Sequence, residues 1–255
     1  MLLAIDVGNT QTVIGVYEGA SLHRMWRVAT NKKHTPDELR LKVLPLLEYA
    51  EYPRECFQGS VLASVVPYLT SAWCDALESM LGTAPLVCNA QTAGSLFEAE
   101  YANPSEIGAD RVADAVAARA LYGAPVIVVD FGTATNIEVI DREGRFVGGI
   151  IAPGMETSAA ALFSHATKLA ATELIDPGTG IGGNTVQAIQ IGIVYGEADR
   201  VDGLVGRIFE QLGYEAPVVA TGGLAERVAP MSRTITHVNQ DLTLEGLRRI
   251  YEQTR

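Results

Sequence analysis

LLAIDVGNT at residues 2–10 and VIVVDFGTAT at residues 126–135 decide the reading of this chain. Each is an apolar run that ends at an acid and enters a tight turn, Asp6-Val7-Gly8-Asn9-Thr10 in the first and Asp130-Phe131-Gly132-Thr133 in the second. Short apolar runs bounded by turn residues read as buried strands. A β-branched, alternating strand follows each turn, at 12–17 and at 136–140. Turn signals at Glu18-Gly19 and Arg142-Glu143-Gly144 then lead into third strands at 22–28 and 146–151. Laying Asp6 on Asp130 gives a repeat distance of 124 residues (130 − 6), about half of the 255-residue chain. That is too long for a solenoid unit and suits a duplicated domain.

Working outward, the stretches between the repeats read as helices. Thr35-Pro36-Asp37-Glu38 combines a capping box with a proline at the first helical position. Apolar spacing predicts helices over 68–81 and 108–121, with Gly123 as the stop of the second, and further helices over 157–169, 185–212 and 242–251. Residues 61–65 and 217–220 read as additional strands. The expectation is an α/β protein of two halves, 1–117 and 118–255, without a flexible linker. Ligands of paired α/β domains usually lie in the cleft between them.

Bulk properties narrow the function. With 48% hydrophobic and 19% charged residues the chain can build a real core. A net charge of −11 and the lack of any basic run argue against a nucleic-acid or anionic-membrane surface. Local backbone N–H groups and metal ions still permit nucleotide binding. The three cysteines, Cys56, Cys74 and Cys88, form no CxxC pair, which favours structural thiols in a reducing compartment. The four histidines never stand at i, i+4, so no zinc site is expected. The N-terminal apolar run breaks at Asp6 and lacks a basic lead, so it is not read as a signal peptide. No run approaches the ~20 apolar residues of a membrane helix. The expectation is a cytoplasmic protein.

Several constellations could carry chemistry. In the first turn, Gly8 lets the backbone approach a phosphate, and Asn9 and Thr10 add donors. Asp6 at the strand end could hold a hydrated Mg²⁺. A plain hairpin explains the same residues, and a P-loop is excluded because GxxxxGK[ST] is absent. The turn at Asp130 repeats the pattern and, facing the first, would suit phosphoryl transfer. Gly108-Ala109-Asp110-Arg111 opens a helix. Asp110 could accept a hydroxyl proton and Arg111 could grip a carboxylate, although an acid in a first helical turn is also favourable on its own account. With an ordinary pKa near ~3.9 Asp110 would be a weak base, which the loose transition state of phosphoryl transfer tolerates. The loop Gly180-Ile181-Gly182-Gly183-Asn184-Thr185 could bind an anion at a helix start or could simply cap that helix. Thr221-Gly222-Gly223 could seat an adenine or form a strand-to-helix turn.

Taken in order, DVGNT (6–10), GADR (108–111) after Tyr101-Ala102-Asn103-Pro104, DFGTAT (130–135), GGxIxPG (148–154), GxNT (182–185), TGG (221–223) and DLTLEGL (241–247) resemble the type III pantothenate kinase family over the whole chain. The resemblance implies two ribonuclease H-like domains of the actin-like ATPase superfamily, arisen by duplication, with an interdomain cleft, usually in a homodimer. It implies transfer of phosphate from ATP to pantothenate, with Mg²⁺ and a monovalent cation, K⁺ or NH₄⁺. By the same resemblance, Asp6, Val7, Gly8, Asn9, Thr10, Gln11, Thr12, Val13 and Thr133 contact ATP. Asp110 is the base. Tyr101, Gly108, Ala109, Asp110, Arg111 and Thr185 bind pantothenate, and Asp130 holds the monovalent cation. Two stretches depart from the family pattern: Thr135-Asn136-Ile137-Glu138, where Thr, an apolar residue and Asp are more usual, and Ala170-Ala171, where a proline is common. A non-catalytic regulator of the same fold, or a kinase of another small carboxylic acid, is the rival reading.

Overall fold

The structure, a computed structural model, describes residues 1–166 and 168–254. In chain order the elements are β1 (Leu2–Val7), β2 (Gln11–Glu18), β3 (Ser21–Ala29), α1 (Pro36–Tyr49), β4 (Gly59–Ser64), α2 (Pro67–Leu81), β5 (Leu86–Val87) and α3 (Ala109–Tyr122). There follow β6 (Val126–Phe131), β7 (Ala134–Ile140), β8 (Phe146–Pro153), α4 (Met155–His165), α5 (Thr185–Gln190), α6 (Gly196–Leu212), β9 (Val218–Thr221), α7 (Ala225–Val228), β10 (His237–Val238) and α8 (Leu242–Gln253). They form two compact units, Met1–Ala117 with Leu242–Arg255, and Ala118–Asp241.

The first unit is built on a mixed sheet of order β3-β2-β1-β4-β5, in which β1 runs antiparallel to β2 and parallel to β4. Strand alternation divides its side chains. Leu3, Ile5, Val7, Ile14 and Val16 join Leu39, Val43, Leu47, Leu69, Trp73 and Leu77 of α1 and α2 in one core. The other face carries Gly15, over which Leu244 of α8 lies. The sheet is thus covered on both sides, as a sheet with parallel pairs requires. Helix α1 starts as its sequence demands: Thr35 Oγ1 accepts from Glu38 N at 3.3 Å while the Glu38 carboxylate accepts from Thr35 N at 2.8 Å.

The second unit repeats the plan with order β10-β9-β6-β7-β8, β6 running antiparallel to β7 and parallel to β9. Ile127, Val129, Phe131, Ile137, Val218 and Ala220 face Met155 of α4, Val201 and Val205 of α6 and Val228 of α7. The duplicated hairpin read from sequence is therefore present as two sheets of matching order and direction.

Three expectations are corrected. The second half does not run uninterrupted to residue 255, because α8 packs on β1 and β4 and belongs to the first unit. Its Leu242, Leu244, Leu247 and Ile250 are buried there, and such a hydrophobic stripe goes wherever an open sheet face exists. The helix expected over 157–169 runs from Met155 to His165, its backbone leaving helical geometry at Ala166; Thr167 lies outside the described residues. The helix expected over 185–212 is divided by a π-helical turn at Ile191–Tyr195 between α5 and α6. A π turn inserts one residue into the register and is frequent at functional sites.

Candidate active site

The two acid-bearing turns close in parallel ways. In the first, Gly8 N donates to Gln11 O at 3.0 Å; in the second, Gly132 N donates to Ala134 O at 2.9 Å. The first turn is one residue longer, since Val7 pairs with Thr12 whereas Phe131 pairs with Thr135. Asp6 and Asp130 occupy the same penultimate place in β1 and β6 and are half-buried. The exposed Asn9 and Thr10 form the tip of the first turn, while Thr12 is buried and its hydroxyl pairs with that of Thr30 at 2.8 Å. Thr30 N also donates to Thr10 O at 2.9 Å, so the residue just after β3 steadies the turn from the side.

The second turn is held by motifs distant in sequence. Gly154 N and Thr157 Oγ1 donate to Thr133 O at 3.0 and 2.6 Å. Gly222, at φ +89°, comes so close that an added Cβ would stand 2.6 Å from Phe131 O. Only glycine meets both requirements, which accounts for a TGG after β9. Beneath the turn, Thr135 Oγ1 donates to Glu197 Oε1 at 2.6 Å, and Glu197 is paired with Arg200.

Helix α3 carries the GADR motif at its start. Val112 N donates to Gly108 O at 3.0 Å, so Asp110 and Arg111 lie in the first turn as expected. Arg111 is only 8% exposed. Asp110 Oδ1 accepts from Arg111 N at 2.8 Å. Burial raises the Asp110 carboxyl above its ordinary 3.8, against the opposing pull of the Arg111 N–H and charge. The expectation of an ordinary carboxylate is corrected accordingly: desolvation disfavours the charged form and makes Asp110 a stronger base.

Behind Asp110 sits Cys88, buried, its Sγ donating to Ala109 O at 3.5 Å. Burial first, then the charges of Asp110, Asp6 and Asp114, push its thiol up to about 12, so it stays neutral. Asp6, Asp110 and Asp114 of the first unit thus all act on the Cys88 thiol. Tyr101 is 39% exposed, in a segment where Asn103 Oδ1 accepts from Ser105 N at 3.3 Å. On the second unit, Asn184 caps α5 by accepting from Gln187 N at 3.0 Å, and the exposed Thr185 is the first helical residue. For the Gly-rich loop, capping is therefore what forms. Thr221-Gly222-Gly223 likewise leads from β9 toward α7.

A comparison with protein families decides the relationship: the model of type III pantothenate kinases matches residues 2–207. The chain belongs to the type III pantothenate kinase family. Similar full-length relatives named type III pantothenate kinase include one from Moorella thermoacetica, 45% identical over 253 residues with 99% of both chains covered. Another, from a Roseiflexus species, is 45% identical over 256 residues with 100% of both covered. Among solved structures, component A of (R)-2-hydroxyglutaryl-CoA dehydratase from Acidaminococcus fermentans matches 98% of this chain and 96% of its own. Its TM-score is 0.58 at 16% identity. The ROK hexokinase from Thermus thermophilus matches 99% and 98%, with a TM-score of 0.53 at 14% identity. These likenesses concern the fold alone, an α/β chain of two units each built on a five-stranded sheet.

Some polar residues packed beside these motifs escaped the sequence reading. Asp114, 1% exposed, accepts from Thr243 Oγ1 at 2.7 Å. Its i+4 spacing from Asp110 puts both on one helix face, a signal legible in principle. Thr243 stands in the DLTLEGL motif, to which no role attached. Glu197 follows the π turn, and no periodicity announces such a turn.

Proposed function

We propose that Asp110 is the general base and Arg111 the carboxylate clamp of a pantothenate kinase reaction. The chain is an enzyme that transfers phosphate from ATP to pantothenate, a step of coenzyme A synthesis. The observation that carries the residue assignment is the place of Asp110 in the first turn of α3, beside the buried Arg111 from whose N–H it accepts, with its carboxyl raised by burial.

Pantothenate has one carboxylate and one primary hydroxyl that can act as nucleophile. Arg111 offers a planar fork matched to the carboxylate. With that end held, the hydroxyl oxygen attacks the γ-phosphorus, the bond to the bridging oxygen of ADP breaks, and Asp110 accepts the hydroxyl proton. Positioning contributes more than proton abstraction in a loose transition state. Tyr101, Gly108 and Ala109 complete the pantothenate contacts on the first unit. Asp6, Val7, Gly8, Asn9, Thr10, Gln11, Thr12 and Val13 line the first phosphate turn. On the second unit we assign Thr133 to ATP, Thr185 to pantothenate and Asp130 to a monovalent cation.

Kinases of this kind use ATP with a divalent metal. Here Mg²⁺ fits Asp6, a half-buried carboxylate at a strand end beside a turn that can take phosphate. Bound there through water, it would neutralise phosphate charge. K⁺ or NH₄⁺ at Asp130 would offset repulsion between phosphates and the substrate carboxylate. We further propose a homodimer. Among the described residues no helix is long and apolar enough to cross a membrane.

The test is turnover of purified protein. With ATP, Mg²⁺ and K⁺ it should phosphorylate pantothenate, more slowly when Na⁺ replaces K⁺. Silence toward pantothenate together with activity on other carboxylic acids would remove the assignment.

A further inference from the structure

Helix α8 is the last element of the chain, yet it lies against the helix that carries Asp110. Two contacts fix the approach. Thr243 Oγ1 donates to Asp114 Oδ1 at 2.7 Å. Gly246 meets the backbone of Ala113 so closely that any Cβ would run into the Ala113 carbonyl oxygen. The first contact is directional, the second steric, and both fall on the turn of α3 that follows Asp110. Asp114 and Ala113 are buried, and so are Leu242, Leu244 and Leu247 around Thr243 and Gly246.

We infer that Thr243 and Asp114 are positioning residues for the catalytic base. The reasoning concerns one rotational freedom. A helix of small residues is weakly indexed by packing alone: apart from Val112 and Val116, the apolar side chains that α3 buries from Val112 to Ala118 are alanines, Ala113, Ala115, Ala117 and Ala118, and such a surface offers few ridges to resist rotation about the helix axis. The hydrogen bond from the half-buried Thr243 to the buried Asp114 carboxylate is directional and strengthened by its partly apolar surroundings. Anchored one turn after Asp110, it sets the phase of the helix and thereby the direction of the Asp110 carboxylate, which lies on the same face. Direct backbone contact at Gly246 makes the arrangement stiff. Thr243 and Asp114 touch no substrate in this scheme; they act through Asp110. The inference rests on the assignment of Asp110 as base.

The experiment is a double-mutant cycle in the full-length enzyme. Thr243→Val keeps shape and removes the donor. It should lower kcat roughly tenfold, short of the ~10²-fold that a 1 Å misplacement can cost, with the KM values for ATP and pantothenate changed less than twofold. Thr243→Ser, which restores a hydroxyl, should recover most of kcat. In an Asp110→Asn background, single-turnover rates should be the same with Thr or Val at 243, because the effect runs through Asp110. Wild-type kcat in Thr243→Val, or a tenfold loss that persists without the Asp110 carboxylate, overturns the positioning role. Should Asp110→Asn alone turn over like wild type, the base assignment fails instead, which separates the two claims.

Discussion

Asp110 combines a cost and a use. Its carboxyl is raised by burial, so ionising it costs more in the folded chain than in the unfolded one. Below its unfolded value of 3.8 both states hold the proton and the penalty is absent. As pH rises through the higher folded value, the penalty develops in full and persists at neutral pH. Asp110→Asn should therefore leave the melting temperature at pH 7 unchanged or higher, while kcat falls on the order of 10² to 10⁴. A thermal melt beside a rate measurement checks both halves, and a destabilised variant would contradict the burial argument. The acid limb of kcat/KM, which reports the free enzyme, should lie above pH 3.8 and vanish in the variant. Arg111 invites a different substitution. Arg111→Lys keeps the charge and loses the planar fork, so KM for pantothenate should rise several-fold more than KM for ATP. A defect confined to ATP would contradict the clamp. The sequence placed Asp110 and Arg111 correctly in the first turn of α3, since Gly108 and the following apolar spacing mark a helix start. It did not reveal the raised carboxyl, because burial is made by residues far away in the chain.

Elements explain what sequence patterns could and could not convey. β1, β2, β6 and β7 were legible because alternation and Asp-x-Gly turns are local signals, and α1 because Thr35 and Glu38 cap it reciprocally. β5 and β10 have two residues each, too few for any period to show. The π turn at Ile191–Tyr195 was illegible for the opposite reason: the apolar pattern runs through it without a break. Its consequence is visible only in three dimensions, where Glu197 just beyond it accepts from Thr135 under the second turn. Thr135→Val keeps the shape of that side chain and strips the donor, leaving a buried carboxylate oxygen short of a partner. The expected loss is about 1 to 3 kcal/mol in a denaturant titration, accompanied by a higher KM for ATP. An unchanged midpoint would mean that Glu197 does not hold the turn. The two acid-bearing turns differ in this respect: Thr30, just after β3, steadies the first, while the second depends on α4, α6 and the glycine after β9.

At the scale of the whole molecule, the duplicated hairpin made two halves legible, but not the return of the chain. The first unit consists of two segments, and its second segment is α8. Nothing in the order of residues marks this, because an amphipathic helix is equally suited to either sheet and only the vacancy on β1 and β4 selects one. The assignment has a direct test, a chain that stops after Asp241. Leu242, Leu244, Leu247 and Ile250 are all buried, and full burial of each is worth about 1.5 to 3 kcal/mol. Their joint loss, roughly 6 to 12 kcal/mol by that measure, rivals the ~5 to 15 kcal/mol that ordinarily stabilises a domain. The truncated chain should expose 1–117 to limited proteolysis while 118–241, whose core lies among β6, β7, β9, α4, α6 and α7, stays protected. Had α8 completed the second half instead, cleavage would concentrate between 118 and 241 and the first half would survive. Since α8 also touches α3, which carries the proposed base Asp110, the truncated chain should lose kinase activity even with the turn at Asp130 intact.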